Sequence, residues 1–212
     1  MDPANGRAAP RLRQSWMLAR AAALNLYSPQ RGPGDEAGFL GKTLEIDAPC
    51  HQMRSEEFHT KIWRVSGMAC TIEALTSRLE TIGDLSDSNR AALNSIPIHI
   101  SSIPRGAEIV ADGEIATSCC LVIEGYVYRS KLRPDRQRQI FSLHPAGDIP
   151  DLHSLHLEKM DHNLVAMSDC TVGRMDHRDV REAIEDRPSL TALLWRDTLI
   201  DAAAFRAWML ML

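Results

Sequence analysis

The sequence predicts a mainly β protein, an antiparallel β-roll with flanking helices and a long helix at its C-terminal end. Three observations lead to this prediction. Between residues 98 and 175, apolar residues occur in short strand-like runs that Gly, Pro, Asp and Asn separate. Glycines recur within this stretch at Gly106, Gly113 and Gly125. Residues 189–212 then keep a helical apolar pattern that neither Gly nor Pro interrupts.

Two short helices are predicted before the roll. The apolar residues that recur at helical spacing in the first are Ile72, Leu75, Leu79 and Ile82. Gly83 is the expected C-cap of this helix. The second helix is expected to begin at Ser86 or Asp87, whose side chains suit an N-cap, and to run through Leu93.

Seven strands and a further short helix follow in the prediction. The runs that predict strands are 98–103, 107–110, 120–123, 126–128, 138–143, 163–167 and 170–175. Gly106 and Gly113 bound a short strand at turns where a positive φ is expected, and Gly125 lets the chain reverse between two strands. Asp176 is expected to cap a short helix that ends at Ile184.

The long helix carries two apolar stripes on nearly opposite faces. One stripe consists of Leu193, Ile200, Ala204, Ala207 and Met211. The other, displaced by about 150° at 100° per residue, contains Trp195, Leu199, Ala202, Phe205 and Met209. Because one small roll can cover only one of these faces, we expect the second stripe to pack against another subunit in a homodimer.

Composition narrows the protein class and its compartment. The chain has 212 residues, 44% of them apolar and 25% charged, which suits one folded domain with some length left over. A net charge of −4 does not favour a protein that coats DNA or an anionic membrane. No apolar run reaches the roughly 18 residues of a membrane span. The five cysteines show no C-x-x-C pair, so a reducing, cytoplasmic location is expected.

The chain is expected to have three parts. Residues 1–67 hold five of the eleven prolines and predict a weakly ordered extension with one helix, Trp16 to Tyr27. A targeting peptide and a translation start at Met68 are the alternatives for this part. Residues 68–187 are the predicted roll domain with its leading helices, and residues 188–212 are the predicted dimerisation helix.

The glycine spacing resembles a known family signature. The pattern Gly106-x-x-Ile109-x-x-x-Gly113, followed by Leu121-Val122-Ile123-x-Gly125-x-Val127, is similar to that of cyclic-nucleotide-binding-type β-rolls. From about residue 70 to 212 the chain resembles the sensory half of a Crp/Fnr transcription regulator. The resemblance implies a small-molecule effector in the roll, dimerisation through the long helix, and control of helix-turn-helix domains on palindromic DNA. The sequence given has no helix-turn-helix segment, so we expect DNA binding only if such a domain is supplied elsewhere.

The effector motif of that family is altered here. Where cyclic nucleotide binders carry a Gly-Glu pair and an Arg-Ser-Ala run, this chain has Pro150-Asp151 and His162-Asn163-Leu164. The resemblance therefore makes Asp151, His162 and Asn163 the candidate effector contacts. The missing arginine argues against cyclic AMP, because a buried phosphate needs a permanent positive partner. Cys50 and Cys70 lie too far apart for an iron–sulfur cluster of the Fnr type, and no cofactor is expected.

Two other functions remain open from the sequence. The chain could be a dimerising module that binds no ligand and modulates full-length regulators through mixed dimers. A metal-dependent enzyme of the cupin type would need a His-x-His pair, which is absent, so neither an enzyme nor a catalytic residue is expected. The stretch from His144 to His156, with Asp161 and His162, is interpreted as solvated loop positions, and no metal site is expected. The basic segment 129–138 is interpreted as an exposed hairpin tip.

Overall fold

The computed structural model describes residues 19–20, 70–157 and 159–210. Its helices are α1 (Cys70–Glu80), α2 (Asp87–Asn94), α3 (His177–Ile184) and α4 (Pro188–Met209), with a 3₁₀ helix at Leu152–Leu155. Its strands are β1 (His99–Ile103), β2 (Glu108–Val110), β3 (Ser118–Glu124), β4 (Tyr126–Leu132), β5 (Arg138–Pro145), β6 (Asn163–Ala166) and β7 (Cys170–Asp176). The predicted order of elements is confirmed.

The seven strands form two antiparallel sheets. One has the order β1-β7-β3 and the other β2-β6-β4-β5. In the first sheet Leu121 lies opposite Gly173, and in the second Tyr128 lies opposite Val165. The predicted antiparallel roll with flanking helices is therefore confirmed.

Strand β3 is buried on both of its faces, which explains its unbroken apolar run. Cys119 and Leu121 belong to a core that the helices share, whereas Cys120 and Val122 belong to a second core inside the roll. Successive side chains of a strand point to opposite faces, so one strand serves both cores. The thiols of Cys119, Cys120 and Cys170 are free and buried.

The glycines define the turns of the roll. Gly106, Gly113 and Gly125 have φ values of +82°, +84° and +88°, in the conformation that the sequence analysis expected. Gly147, which that analysis did not single out, also has a positive φ of +93°. A Cβ atom on Gly147 would lie 2.7 Å from the carbonyl oxygen of Ala74, so this turn also lies directly against α1.

The expectation that Gly83 caps α1 was wrong. The helix ends at Glu80, and Gly83 is not among the glycines with positive φ. A Cβ atom at this position would lie 2.7 Å from Cδ1 of Leu193. Gly83 thus serves the close approach of α4, a requirement that the local sequence does not reveal.

Helix α4 begins with Pro188 in its first turn, where proline leaves no helical hydrogen bond unmade. Its face toward the roll is buried through Leu190, Leu193, Leu194, Ile200, Ala204 and Trp208. Of the predicted extension, only Ala19 and Arg20 are described; both are helical and buried. The rest of that extension lies outside the described residues, and its weak order stays a prediction. No helix within the described ranges is long and apolar enough to cross a bilayer.

Candidate functional site

Buried polar residues gather where the chain between β5 and β6 lies against α4. This connecting segment, residues 146–162, contains the 3₁₀ helix. The buried polar residues in and beside it are His144, Asp148, Asp151, Ser154 and His162. The interpretation of the whole stretch as solvated loop positions was therefore wrong, because the segment folds back onto the roll and the long helix.

Asp148 is the centre of a buried ionic cluster. Both terminal nitrogens of Arg20 donate to its carboxylate, and Nδ1 of His144 lies 3.0 Å from its Oδ2. Nε of Arg78 lies 3.6 Å from its Oδ1. Burial alone favours the neutral acid, but the Arg20 guanidinium and the His144 contact outweigh burial and hold the pKa of Asp148 well below its usual range.

Two carboxylates of α4, one helical turn apart, connect this helix to the roll. Asp197 lies 2.6 Å from Nη2 of Arg78, and Asp201 accepts a hydrogen bond of 2.5 Å from Nη1 of Arg129. Burial raises the pKa of Asp197 to about 6 against the opposing effect of Arg78. For Asp201, burial is outweighed by Arg129, which lowers the pKa of the carboxyl. The helix is thus held by charge pairs as well as by apolar packing.

Arg129 joins three elements at the centre of the site. From β4, its Nε donates to the carbonyl oxygen of Pro150 over 2.8 Å while its Nη1 reaches Asp201. Beside it, a cavity of about 20 Å³ is bordered by His153 and Thr198 among others. That volume suits a single water molecule. The guanidinium is therefore already engaged by protein oxygens.

His153, which borders this cavity, has its ring close to that of His162. The ring centroids of His153 and His162 are 5.2 Å apart, and Nδ1 of His162 lies 2.6 Å from Oδ1 of Asp161. Burial, followed by the charge of Arg129, lowers the pKa of each imidazole to about 4. Both rings are therefore neutral at pH 7.

An aromatic pair connects His162 with the long helix. The ring of Phe141 on β5 meets His162 edge-on at 5.6 Å and meets Phe205 of α4 at 5.9 Å. Edge-to-face aromatic pairs at this distance are favourable. His162 is therefore connected to Phe205 of α4 through one intervening side chain, that of Phe141.

The three predicted effector contacts have separate surroundings. Oδ1 of Asp151 accepts from the backbone amide of Cys120 over 2.7 Å, and burial raises the pKa of this carboxyl to about 7. Oδ1 of Asn163 accepts from the backbone amide of Asp112 over 2.8 Å. Of the three, His162 is the one with ring contacts that lead toward α4, through Phe141. Each of the three contacts a different part of the roll, so their joint role in binding an effector stays a prediction.

The second apolar stripe of α4 is largely exposed. The exposed fractions of Trp195, Leu199 and Met209 are 61%, 51% and 57%, and Ala202 is half-buried. Phe205 is half-buried because it packs on Phe141. The predicted seam is thus a surface of the described chain, whereas its pairing with a second subunit stays a prediction.

Comparison with known proteins adds to this geometry. Residues 100–187 match the family model of the cyclic nucleotide-binding domain. Residues 100–187 therefore have the fold of a cyclic nucleotide-binding domain. A solved cyclic nucleotide-binding domain from Methylobacillus flagellatus KT is similar, with a TM-score of 0.54 and 18% identity over 66% of this chain and 79% of the other. The sensor domain of the transcriptional regulator DNR from Pseudomonas aeruginosa has a TM-score of 0.50 and 16% identity over 58% of this chain and 85% of its own.

These likenesses establish the fold of the domain, and the predicted resemblance to the sensory domains of such regulators is confirmed. A comparison with curated proteins finds no match. In this cyclic nucleotide-binding domain, the segment that resembles the effector motif of the family is the one that carries Asp151, the 3₁₀ helix and His162.

Sequence reasoning missed Arg129, Asp148 and His153 as site residues. Arg129 was assigned to the hairpin tip, but the exposed turn lies at residues 133–137, and Arg129 sits further down β4 with its guanidinium on Pro150. The sequence did contain one indication that basic residues of the roll contact α4. Asp197 and Asp201 lie on the side of α4 that carries the first apolar stripe, and acidic side chains there require basic partners from the roll.

Proposed function

We propose that this chain is the effector-sensing and dimerisation part of a bacterial Crp/Fnr-like transcription regulator in the cytoplasm. No catalytic role is proposed for it, and DNA binding would require a helix-turn-helix domain in addition to the residues described. The observation that carries the proposal is the position of α4. One face of this helix is fixed to the candidate site by two ion pairs, and the other presents an exposed apolar seam.

A second copy of this chain is the proposed occupant of the seam. Trp195, Leu199 and Ala202 are spaced by four and three residues, and Met209 follows one heptad after Ala202. This spacing is that of a helix that pairs with another helix along its length. A charged or nucleic-acid partner fits poorly, because the exposed side chains of the seam are apolar.

The proposed effector contacts remain Asp151, His162 and Asn163, with a ligand other than cyclic AMP. A nucleotide site usually needs several hundred Å³, whereas the cavity beside Arg129 holds about 20 Å³. The guanidinium in that cavity is already paired with Pro150 and Asp201. A nucleotide at this particular cavity would therefore have to displace existing contacts before it could bind.

Signalling would follow from the contacts of the site with α4. A ligand that binds one arrangement of Phe141, Phe205 and the Arg129–Asp201 pair more tightly than another shifts the population of α4 positions. In a dimer, such a shift changes the relative orientation of the two helices, and with it that of the attached DNA-binding domains.

The proposal is tested by breaking the seam without touching the roll. Leu199→Asp places a charge among exposed apolar residues, and we expect the dimer to dissociate at least 100-fold more readily in sedimentation velocity. Leu132→Asp is the matched control, since Leu132 is 59% exposed at the far end of β4. Dimers that persist in Leu199→Asp, or a wild-type chain that is monomeric at high concentration, would contradict the proposal.

A ligand-free dimerising module is the second candidate function, and the small cavity favours it. Titration of the wild-type dimer with cyclic AMP, cyclic GMP and related nucleotides, followed by calorimetry and thermal melting, tests whether the effector is a nucleotide. Heat of binding and a raised melting temperature support an effector sensor for nucleotides. Their absence with all of these compounds supports either the ligand-free module or an effector of another chemical class.

A further inference from the structure

We propose that His153, Asp161 and His162 form a binding site for one divalent transition-metal ion of the class of Zn²⁺, Co²⁺ or Fe²⁺. Each of these residues offers one ligand atom, and the three atoms lie within 4.8 Å of one another. They come from the 3₁₀ helix and from the chain just before β6, which the fold brings together. His156, which directly follows this 3₁₀ helix, is exposed and outside this group.

The two imidazoles have unused nitrogens. The Nε2 atoms of His153 and His162 are buried, and neither has a hydrogen-bond partner among the described residues. A buried polar atom without a partner costs about 1–3 kcal/mol. A metal ion would satisfy such lone pairs, whereas an apolar ligand would not.

Asp161 adds a carboxylate that orients the ring of His162 and lies near that of His153. Its Oδ1 lies 2.6 Å from Nδ1 of His162 and 3.9 Å from Nε2 of His153. A carboxylate next to a histidine nitrogen is the usual arrangement by which proteins orient metal-binding imidazoles. Because the Asp161 side chain is 72% exposed, solvent has access to the site and can fill the remaining coordination positions.

The separation of the rings fits one shared ion. With a metal–nitrogen distance of about 2.1 Å, a ring centroid lies roughly 3.2 Å from the metal, and two imidazoles at the tetrahedral angle then have centroids about 5 Å apart. The observed separation of His153 and His162 is 5.2 Å.

Charge and ligand type select the class of ion. The positive charge of Arg129 opposes a bound cation, but Asp201 pairs with it directly. Two nitrogen ligands favour Zn²⁺, Co²⁺ or Fe²⁺ over Ca²⁺ and Mg²⁺, which prefer oxygen.

The ion would act on the long helix, and this part of the inference rests on the proposed function. Metal binding at His162 would fix its ring against Phe141, which packs on Phe205 of α4. His153 borders the same small cavity as Thr198 and Asp201 of that helix. An ion at this point would therefore favour one position of α4 over others.

The test uses Co²⁺ as the probe, added to the full chain after treatment with a chelator. We expect the wild-type protein to bind one equivalent with visible absorption bands of low-coordinate Co²⁺, and Zn²⁺ to displace it. His153→Ala and Asp161→Asn should weaken binding at least tenfold. The matched control His156→Ala should bind as the wild type does. Asp161→Asn is informative because its exposed side chain makes misfolding an insufficient explanation for lost binding.

Three results would overturn the site: no Co²⁺ or Zn²⁺ bound at 1 mM ion, equal binding by His153→Ala, or equal loss in His156→Ala. Sedimentation of the same samples separates this inference from the proposed function. Binding of Co²⁺ that leaves the helix pairing and the Leu199→Asp effect unchanged supports the site and contradicts the effector role. If the proposed function fails because the chain does not dimerise, the result of the metal titration is unaffected.

Discussion

The Asp151 carboxyl group is fully buried, and its Oδ1 accepts a hydrogen bond from the Cys120 amide. Burial favours its neutral form and raises its pKa from the usual 3.8 to about 7. Above pH 7 the folded protein therefore holds a buried negative charge at this point. Arg129 and Arg174 offset part of that cost but do not contact the carboxylate closely enough to remove it.

We expect Asp151→Asn to be more favourable for stability, compared with the wild type, at pH 8 than at pH 5. The folded pKa of Asp151 lies above the unfolded one, so its contribution to stability is complete below about pH 4 and is lost as the pH rises through about 7. Asparagine keeps the oxygen that accepts from Cys120 and does not ionise. Between pH 5 and 8 the free energy of unfolding of the variant should gain roughly 2–4 kcal/mol on the wild type in urea titrations.

Asp135→Asn serves as the control, because Asp135 lies at the exposed hairpin turn. It should follow the wild-type pH dependence closely. A parallel pH dependence of Asp151→Asn and the wild type would show that Asp151 stays ionised in the fold.

At the level of single residues, the sequence indicated the turn positions more reliably than it indicated the residues of the candidate site. The positive φ at Gly106 and Gly113 follows from local sterics, so their spacing was sufficient to place them. The partners of Asp148, by contrast, come from Arg20, Arg78 and His144, which are far apart in the chain. The local sequence pattern carries no information on contacts between residues so distant in the chain, and the ionic cluster was therefore not predicted.

The turn at Gly147 connects β5 to the functional segment and packs against α1. Its φ is +93°, and a Cβ atom would lie 2.7 Å from the carbonyl oxygen of Ala74. Gly113 has a similar φ of +84°, but no atom lies within 4 Å of the corresponding position. The two glycines therefore share a backbone conformation that would strain any residue with a Cβ atom, and they differ in close packing.

We expect Gly147→Ala to lower the free energy of unfolding by about 3–4 kcal/mol, because it adds a clash with backbone to the strain of a positive φ. Gly113→Ala should cost only about 1–2 kcal/mol, the strain alone. Chemical denaturation of both variants measures the difference. Equal losses in the free energy of unfolding would show that α1 moves away from the added Cβ atom at Ala74 without a measurable loss of stability.

The elements themselves were largely predictable, since helical and strand periods of apolar residues report directly on burial. The strands of the roll and the helix from Pro188 lie close to their expected bounds. The end of α1 was misplaced because Gly83 is required by Leu193 of a distant helix and not by a helix cap. The 3₁₀ helix lies in a stretch that was interpreted as a loop, since four residues are too few to show a period.

On the scale of the whole molecule, Arg20 ties an early part of the chain to the roll. Its guanidinium donates to Asp148 with both terminal nitrogens, and burial is outweighed by this carboxylate so that the pKa of Arg20 is raised. Arg78 is a more distant partner of the same carboxylate, at 3.6 Å. The early segment thus contributes a charge that the buried carboxylate needs.

A chain that starts at Met68 should therefore be less stable by about 2–4 kcal/mol, since loss of Arg20 leaves Asp148 with incomplete compensation. Arg20→Met in the full chain should reproduce most of this loss. Arg133→Met, which removes an exposed pair at the hairpin turn, should change stability by less than about 0.5 kcal/mol. Urea unfolding at pH 7 compares the three, and a shortened chain as stable as the full one would contradict the role of Arg20.

The two carboxylates of α4 lie four residues apart, about 6 Å along the helix axis. Each meets a different arginine of the core, so sliding the helix by one or two ångströms would strain both pairs at once and leave four poorly hydrated charges without close neighbours. We therefore expect α4 to occupy a few discrete positions and not to move gradually. A signal that moves the helix would then produce an on-or-off response in place of a graded one.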